Sequence, residues 1–358
     1  MTNDYNEAQG NDSSAGNSGV YCTCAHIFYR GMKSEPFIRY NTSKTKSKGK
    51  KMQPVNRRDF MKHVLAAAPA ASVLASHIAA AREDDVVPPL CVFSKHLEFL
   101  DYKELAATCR ELGLDGVDLT VRAGGHVLPE RVATDLPAAV EAIRAEGLDV
   151  PMITTRFVSG DDDGIRDILS VASALDIPYF RVGSHRYDDN GPILPQLERF
   201  TEEVRSLARV AEEMGMTAGY HNHSGMRYVG APLWDLHRIY EAVGSANMGS
   251  NFDTGHATVE GAYGNWQITA RLLAPWVRMV AVKDFVFDGN RPRWVPLGEG
   301  VTDTAGILGI FREHANFSGP VSMHFEYRIS SRDAIIEEIG KSAQYMRDEV
   351  YPKAGYIS

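Results

Sequence analysis

The chain has 358 residues, 44% hydrophobic and 23% charged, so it can build a full core and is not globally disordered. Its formal charge of −8 is unevenly distributed along the chain. Residues 1–82 contain 12 basic and 5 acidic residues, whereas residues 83–358 contain 26 basic and 41 acidic residues. An acidic body is a poor partner for a nucleic-acid backbone, and four cysteines are too few for a disulfide scaffold.

Residues 1–51 are polar and poor in large apolar side chains, which predicts either a disordered leader or an extension upstream of a true start at Met52. Residues 52–82 contain the pair Arg57-Arg58, then Phe60 and Lys62, then an Ala-rich stretch that ends in small residues. This order resembles a twin-arginine export signal, although a short amphipathic helix with a basic cap is an alternative. The stretch is too weakly apolar for an integral membrane span, so we expect an exported or periplasmic protein.

From residue 90 onward, short apolar runs alternate with segments that have apolar residues at three- and four-residue steps. The runs predict eight strands, at residues 90–97, 116–121, 150–157, 179–183, 217–223, 249–253, 278–285 and 321–327. The periodic segments predict eight helices, at residues 101–112, 137–146, 164–175, 195–214, 232–243, 266–274, 305–314 and 332–350. This arithmetic predicts an α/β fold in one domain, residues 83–358: a (β/α)8 TIM barrel rather than a doubly wound sheet.

The active site of such a barrel lies at the carboxyl ends of the strands, and polar side chains concentrate there. His221 and His223 end the fifth predicted strand and share a face, as do His324 and Glu326 at the eighth. The other strand ends supply His96, His185, Asp253, His256 and Lys283. A convergent set of imidazoles and carboxylates suits a divalent ion such as Mn, Zn, Co or Mg.

Several short motifs occur in strand order along residues 88–350. They are Gly-Tyr-His221-Asn-His223, Asn-Phe-Asp253-Thr-Gly-His256, Val-Lys283-Asp-Phe, Pro-Leu-Gly-Glu299-Gly and His324-Phe-Glu326-Tyr. Together they resemble the xylose-isomerase-like TIM barrels, a superfamily with sugar-phosphate isomerases, ketose 3-epimerases and inosose dehydratases. The resemblance implies a divalent metal held by Glu, Asp, His and Glu from strands five to eight.

Only two positions match that ligand set, Asp253 and Glu326. His221 stands in place of the strand-five Glu, and the strand-seven His falls on Ala281, which cannot bind a metal. The resemblance therefore implies metal ligands His221, Asp253 and Glu326, with the missing ligand supplied by another histidine or by water.

The same resemblance implies roles for the remaining polar residues. We expect His221, Glu326 and Lys283 to be catalytic, although Lys283 is equally well explained as an ion-pair partner of the carboxylates. The predicted substrate-binding residues are His96, His185, His223, His256 and Trp294. Residues 159–163 form an acidic loop after the third strand, which favours a non-phosphorylated sugar.

The chemistry shared by the family is metal-assisted removal of a proton next to a carbonyl. We expect a sugar isomerase or epimerase. The alternatives are a lyase, dehydratase or hydratase acting on a keto-sugar or keto-inositol, and, with less support, a non-catalytic sugar-binding barrel. Formation of a homo-oligomer is left open by the sequence.

Overall fold

The computed structural model describes residues 86–356. The predicted leader, residues 1–51, and the predicted export segment, residues 52–82, lie outside the described residues.

Eight parallel strands close into a barrel. The predicted TIM barrel is thereby confirmed. The barrel strands are β1 Leu90–Phe93, β2 Gly116–Thr120, β3 Asp149–Thr154, β4 Tyr179–Arg181, β5 Thr217–His221, β6 Met248–Asp253, β7 Val277–Val282 and β10 Val321–Met323. Around the barrel they follow the order β1-β10-β7-β6-β5-β4-β3-β2.

Helices follow the strands and cover the outside of the barrel. They are α1 Tyr102–Glu111, α2 Val132–Ala145, α3 Ile165–Ala174, α4 Ile193–Glu213, α5 Trp234–Val243, α6 Thr254–Glu260, α7 Asn265–Leu273, α8 Thr304–Ala315, α9 Arg332–Tyr345 and α10 Tyr351–Ala354. In α4, Leu197, Phe200 and Val204 are buried, so the apolar stripe seen in the sequence is the face that packs on the barrel. Gly244 ends α5 in the left-handed conformation, where glycine carries no Cβ penalty.

The predicted seventh strand, residues 278–285, is wrong at its carboxyl end. β7 stops at Val282, and the chain then forms an antiparallel hairpin outside the barrel, from β8 Asp284–Asp288 and β9 Arg291–Val295. The Asp284 carboxylate accepts hydrogen bonds from the backbone N–H groups of Gly298, Gly300 and Thr302, which holds the returning chain against the strand end.

The first and eighth predicted strands also end early. β1 stops at Phe93 and continues as a 3-10 helix, Ser94–Leu97, and β10 stops at Met323. Helix α6 was not predicted; it begins directly after β6 because the Asp253 carboxylate caps it by accepting from the His256 N–H at 2.7 Å. Among the described residues, no helix is long and apolar enough to span a membrane.

Candidate active site

The inward faces of β5 and β6 place the predicted histidines and aspartate at the mouth of the barrel. His221 lies beside Asn251, and Asp253 lies beside Ala281 in the register of the parallel strands. The rings of His221 and His223 are 4.7 Å apart between centroids, which confirms that they share one face.

Lys283 is the centre of the charged cluster. Its Nζ lies 3.0 Å from Asp253 Oδ2 and forms an ion pair with Glu326 Oε1, and it is 3.2 Å from His256 Nε2. Burial alone would lower the pKa of Lys283, but the two carboxylates outweigh it and raise that pKa. For Glu326, burial would raise the pKa, but the ammonium holds it well below its usual value. At neutral pH the cluster is therefore an ammonium between two carboxylates.

Asp253 is held rigidly by its own neighbours. Its Oδ1 caps α6, and its backbone is clamped by Asn222, whose side chain accepts from the Asp253 N–H at 2.8 Å and donates to the Asp253 carbonyl at 3.1 Å. Only Oδ2 is left to face the site, where it contacts Lys283 and lies 3.4 Å from His221 Nε2.

Three imidazoles of the mouth, those of His221, His223 and His324, are neutral. Burial, followed by the nearby charge of Arg181, lowers the pKa of His221 and of His223 well below the usual value. Burial also lowers the pKa of His324 well below the usual value, with further contributions from the charges of Lys283 and Arg181. Neutral imidazoles have a lone pair free for a metal ion or a proton.

Trp294 of β9 reaches back over this cluster. The Lys283 Nζ lies 5.3 Å from the centre of its ring, and the His256 ring meets it edge-on at 4.9 Å. This approach requires Gly255 of α6, because a Cβ there would lie 2.5 Å from Lys283 Cγ and 2.9 Å from the Trp294 ring. The hairpin therefore brings the predicted aromatic platform to the mouth.

His96 lies at the edge of the mouth, next to the end of β10. Its Nε2 accepts from the Phe325 N–H at 3.1 Å, and burial lowers its pKa to about 3. It lines a cavity of about 300 Å³ together with Phe99, Tyr327 and Arg332. His96 is thus fixed as a neutral acceptor.

His185 does not join the cluster. Its ring packs on Phe200 of α4 and stacks on Tyr220, and its Nε2 lies 2.8 Å from Glu203 of α4. Tyr220 is adjacent to His221 in β5, so it points to the opposite side of the strand, toward the helices. The structure therefore places this predicted substrate-binding residue between the barrel wall and α4.

The acidic loop 159–163 also lies against α4. Ser159 Oγ is 3.1 Å from Ser206 Oγ, and the Gly160 N–H donates to the same oxygen at 2.8 Å. Asp162 accepts from two backbone N–H groups of its own loop. These hydrogen bonds fix the loop against α4.

Two trios of side chains bring their ligand atoms within 4.8 Å of one another. One is His221, His223 and His256, and the other is His221, Asp253 and His324. Glu326, a predicted ligand, belongs to neither trio among residues 86–356, because it is paired with Lys283. His324 takes its place beside Asp253.

A family model described as the xylose isomerase-like TIM barrel matches residues 106–349, more than half of the chain. The chain belongs to this family. No curated protein sequence is significantly similar to it.

Solved structures with the same fold include a xylose isomerase-like TIM barrel protein from Mycobacterium smegmatis in complex with magnesium, with a TM-score of 0.58, 15% identity, and 76% of this chain and 100% of that chain covered. D-psicose 3-epimerase from Clostridium cellulolyticum H10, with D-tagatose, has a TM-score of 0.56 at 15% identity, covering 74% and 99%. The probable 3-DHS dehydratase AsbF from Bacillus anthracis has a TM-score of 0.55 at 16% identity, covering 70% and 97%. At these identities the likeness establishes the fold.

Sequence reasoning missed one buried carboxylate at the mouth. Asp118 of β2 accepts from the hydroxyls of Thr154 and Ser322, and its Oδ2 lies 3.7 Å from His324 Nε2. Burial raises its pKa. The signal was a lone Asp inside an otherwise uncharged strand, where a charge is costly without partners.

Proposed function

We propose that this protein is a sugar isomerase or epimerase that removes a proton next to a carbonyl and returns it elsewhere. The observation that carries the proposal is the Lys283 ammonium, buried at the barrel mouth between Asp253 and Glu326 and next to the imidazole of His256. An ionised acceptor beside a fixed cation is what enolisation needs, because negative charge moves from carbon to oxygen as the proton leaves.

Glu326 is the proton acceptor in this proposal. Its side chain keeps 28% of its surface exposed, whereas the side chain of Asp253 is fully buried, so Glu326 is the carboxylate that a substrate can reach. The proton passes from the substrate carbon to Glu326, and Lys283 donates a hydrogen bond to the oxygen that becomes negative. His256, 3.5 Å from Glu326 Oε1, is placed to exchange that proton with the carboxylate.

The residues present fit a divalent ion held by His221, Asp253 and His324. The buried Nδ1 of His221 and Nε2 of His324 have no hydrogen-bond partner among the described residues, and buried polar atoms normally have one. Two imidazoles and one carboxylate are a common ligand set for such ions. When bound, the ion would polarise the substrate carbonyl.

A dehydratase or other lyase acting on a keto-sugar is the second candidate. Its support is that His221 occupies the place of a carboxylate that the epimerases of the family use as an acid or base, which leaves one carboxylate within reach of a substrate. The ammonium of Lys283, next to Glu326, would then protonate a departing β-hydroxyl. One structural neighbour described as a probable dehydratase shares the fold.

We also propose that the protein is exported by the twin-arginine route, on the strength of Arg57 and Arg58 and the apolar stretch that follows. Proteins that use this route fold before they cross the membrane, which suits a barrel that holds a metal ion.

The test is hydrogen–deuterium exchange on candidate substrates. The full chain, supplied in turn with Mn, Zn, Co or Mg, is incubated in heavy water with a panel of ketoses and keto-glycosides, and the label is located by NMR. We expect deuterium at the carbon next to the carbonyl. Exchange without net consumption supports the isomerase or epimerase, whereas a new enone absorption band supports the lyase.

The variant Glu326→Gln keeps the size of the side chain and removes its ability to accept a proton. We expect it to lose at least about 100-fold in exchange rate, the usual contribution of a general base. The matched control is Glu213→Gln on α4, whose carboxylate pairs with Arg166 and is 53% exposed. Equal exchange rates in Glu326→Gln and the wild type, or no exchange on the whole panel, would overturn the proposal.

A further inference from the structure

A cavity of about 300 Å³ opens at the rim of the barrel, between the segment that follows β1 and the segment that follows β10. Its lining includes His96 and Phe99 from the first segment, and Phe325, Tyr327 and Arg332 from the second. The proposed proton transfer does not use this space. We call it the rim cavity.

The rim cavity borders the reacting groups. Phe325 and Tyr327, which line it, are the chain neighbours of Glu326, the proposed proton acceptor. The His96 ring lies 6.5 Å from the ring of His324 between centroids, and His324 belongs to the proposed metal site. A substrate held at Glu326 would therefore have the rim cavity beside it.

Aromatic groups make up much of the lining. The Phe325 ring meets the His96 ring at 5.1 Å and 83°, and it meets the Tyr327 ring at 6.2 Å and 75°. The guanidinium carbon of Arg332 lies 4.9 Å from the centre of the Phe99 ring. Aromatic rings pair favourably edge to face, and a guanidinium is attracted to the face of a ring. The lining therefore suits a further aromatic ring.

Two hydrogen-bonding groups of the lining are already engaged. His96 Nε2 accepts from the Phe325 N–H at 3.1 Å, and Ser331 Oγ accepts from the Ala334 N–H at 3.1 Å, where it caps α9. A second sugar ring would need partners for the hydroxyls that it buries, because an unpaired buried hydroxyl is costly. An aromatic ring has no such need. These contacts favour an aromatic ring over a second sugar.

The volume of the rim cavity fits one such ring. An apolar cavity of about 150 Å³ is large enough to hold benzene. The rim cavity, at about 300 Å³, has room for a phenyl ring and for the atoms that join it to a sugar.

We propose that the rim cavity binds an aromatic ring attached to the sugar, so that the substrates of this enzyme are keto-sugars with an aryl group, such as aryl keto-glycosides. The inference rests on the proposed function, because it names the substrate class of the same site. The sugar would lie at Lys283 and Glu326, and the aromatic ring would lie beside Phe99 and Phe325.

The first test asks whether the cavity binds a ring when no reaction takes place. The probe is para-fluorobenzyl alcohol, which has neither a carbonyl nor a sugar, and its binding to the full chain is followed by fluorine NMR. We expect the fluorine signal to broaden. Phenyl β-D-glucopyranoside should displace the probe at a concentration at least about tenfold lower than methyl β-D-glucopyranoside or cellobiose, because only the phenyl group buries an apolar ring in the cavity.

Two variants test whether the probe lies in the rim cavity. Phe99→Leu keeps an apolar side chain and removes the ring that faces Arg332, so binding should weaken at least about threefold. Arg332→Gln, at an exposed position with little risk to folding, should weaken binding about twofold to fivefold. The matched control is Arg199→Gln on α4, whose guanidinium carbon lies 4.8 Å from the centre of the Phe200 ring and whose side chain is 61% exposed. It should bind the probe as the wild type does.

The second test uses the deuterium-exchange assay on keto-glycosides. Those with an aryl group should exchange with a kcat/KM at least about tenfold above that of the methyl compounds, because the buried ring contributes binding energy next to the reacting carbon. Phe99→Leu should reduce this difference.

An unbroadened fluorine signal, displacement by cellobiose as effective as that by phenyl glucopyranoside, or undiminished binding in both variants would overturn the inference. Equal exchange of aryl and methyl keto-glycosides would overturn it as well. The two proposals fail separately. Exchange on free ketoses without binding of the ring would overturn the aryl substrate and keep the enzyme. Ring binding that both variants weaken, without exchange on any candidate, would overturn the proposed reaction and keep the rim cavity as a binding site.

Discussion

Replacing Lys283 by Met tests whether the buried ammonium holds the mouth together. Methionine keeps the length of the side chain and removes the charge, so the packing loss is small. Asp253, fully buried, and Glu326 would then lack their shared cation. Breaking a buried ion pair by removing one partner costs about 3–5 kcal/mol. Because Glu326 is 28% exposed and can recruit water, we expect the lower end, about 3 kcal/mol at pH 7.

The pH dependence gives a sharper result. In the wild type the pKa of Glu326 is below its usual value of 4.5, so its ion pair stabilises the folded state above about pH 4.5 and is lost as the pH falls through the lower folded pKa. Without the ammonium, burial raises that pKa instead. The ionised carboxylate then destabilises the variant at pH 7, and protonation relieves this as the pH falls. The gap in stability between the wild type and Lys283→Met should therefore narrow from pH 7 to pH 5.

The assay is urea unfolding of the full chain, followed by tryptophan fluorescence at both pH values. The matched control is Lys341→Met on α9, which removes an ion pair of 2.7 Å to Glu337 in which both side chains are 68% exposed. Its stability should not change measurably, because water screens such pairs. A loss below about 1 kcal/mol at pH 7 in Lys283→Met, or a gap that stays constant or widens on acidification, would refute the reasoning.

Three further results are expected. Gly255→Ala would place a Cβ 2.5 Å from Lys283 Cγ and 3.0 Å from the Lys283 carbonyl oxygen, so the lysine must shift and deuterium exchange should fall by about 100-fold; near-wild-type exchange would contradict this. The pKa of His96 is about 3 in the folded state and 6.5 in the unfolded state, so its contribution to stability is present above pH 6.5 and is lost as the pH falls toward 3. Between pH 7 and pH 4, the melting temperature of His96→Gln should therefore fall less than that of the wild type. The double variant Arg57→Lys with Arg58→Lys should accumulate in the cytoplasm when cell fractions are compared, because the signal is recognised as a pair of guanidinium groups; export at the wild-type level would refute the signal.

The sequence predicted most of the fold because the decisive signals are local. Apolar runs and helical periodicity repeat eight times, and each repeat is visible within about 30 residues. The errors fall where tertiary contacts override local preference. The apolar run at Val282 continues into Phe285, but Lys283 forms ion pairs with Asp253 at the end of β6 and with Glu326 after β10. Asp284 binds the backbone of the loop that follows the β8–β9 hairpin.

For the site, the sequence by itself determined which side chains reach the mouth from β5 and β6. The strand period of two predicted that His221 and His223 share a face, and the two rings do meet although β5 itself ends at His221. The same rule could not place His185, because β4 ends at Arg181 and the position of the loop after it is set by contacts with Tyr220 and α4.

Only the tertiary structure decided which of these groups become partners. Closure of the barrel puts β10 between β1 and β7, so Glu326 meets Lys283, and His324 meets Asp118 from more than 200 residues away. Arg122 and Arg181 come together in the same way, since one follows β2 and the other ends β4, and both lie against the Phe93 ring. A pattern along the chain fixes the face of each side chain, whereas the pairing of charges depends on distances across a closed sheet, and those distances set the pKa values, the ion pairs and the chemistry of the mouth.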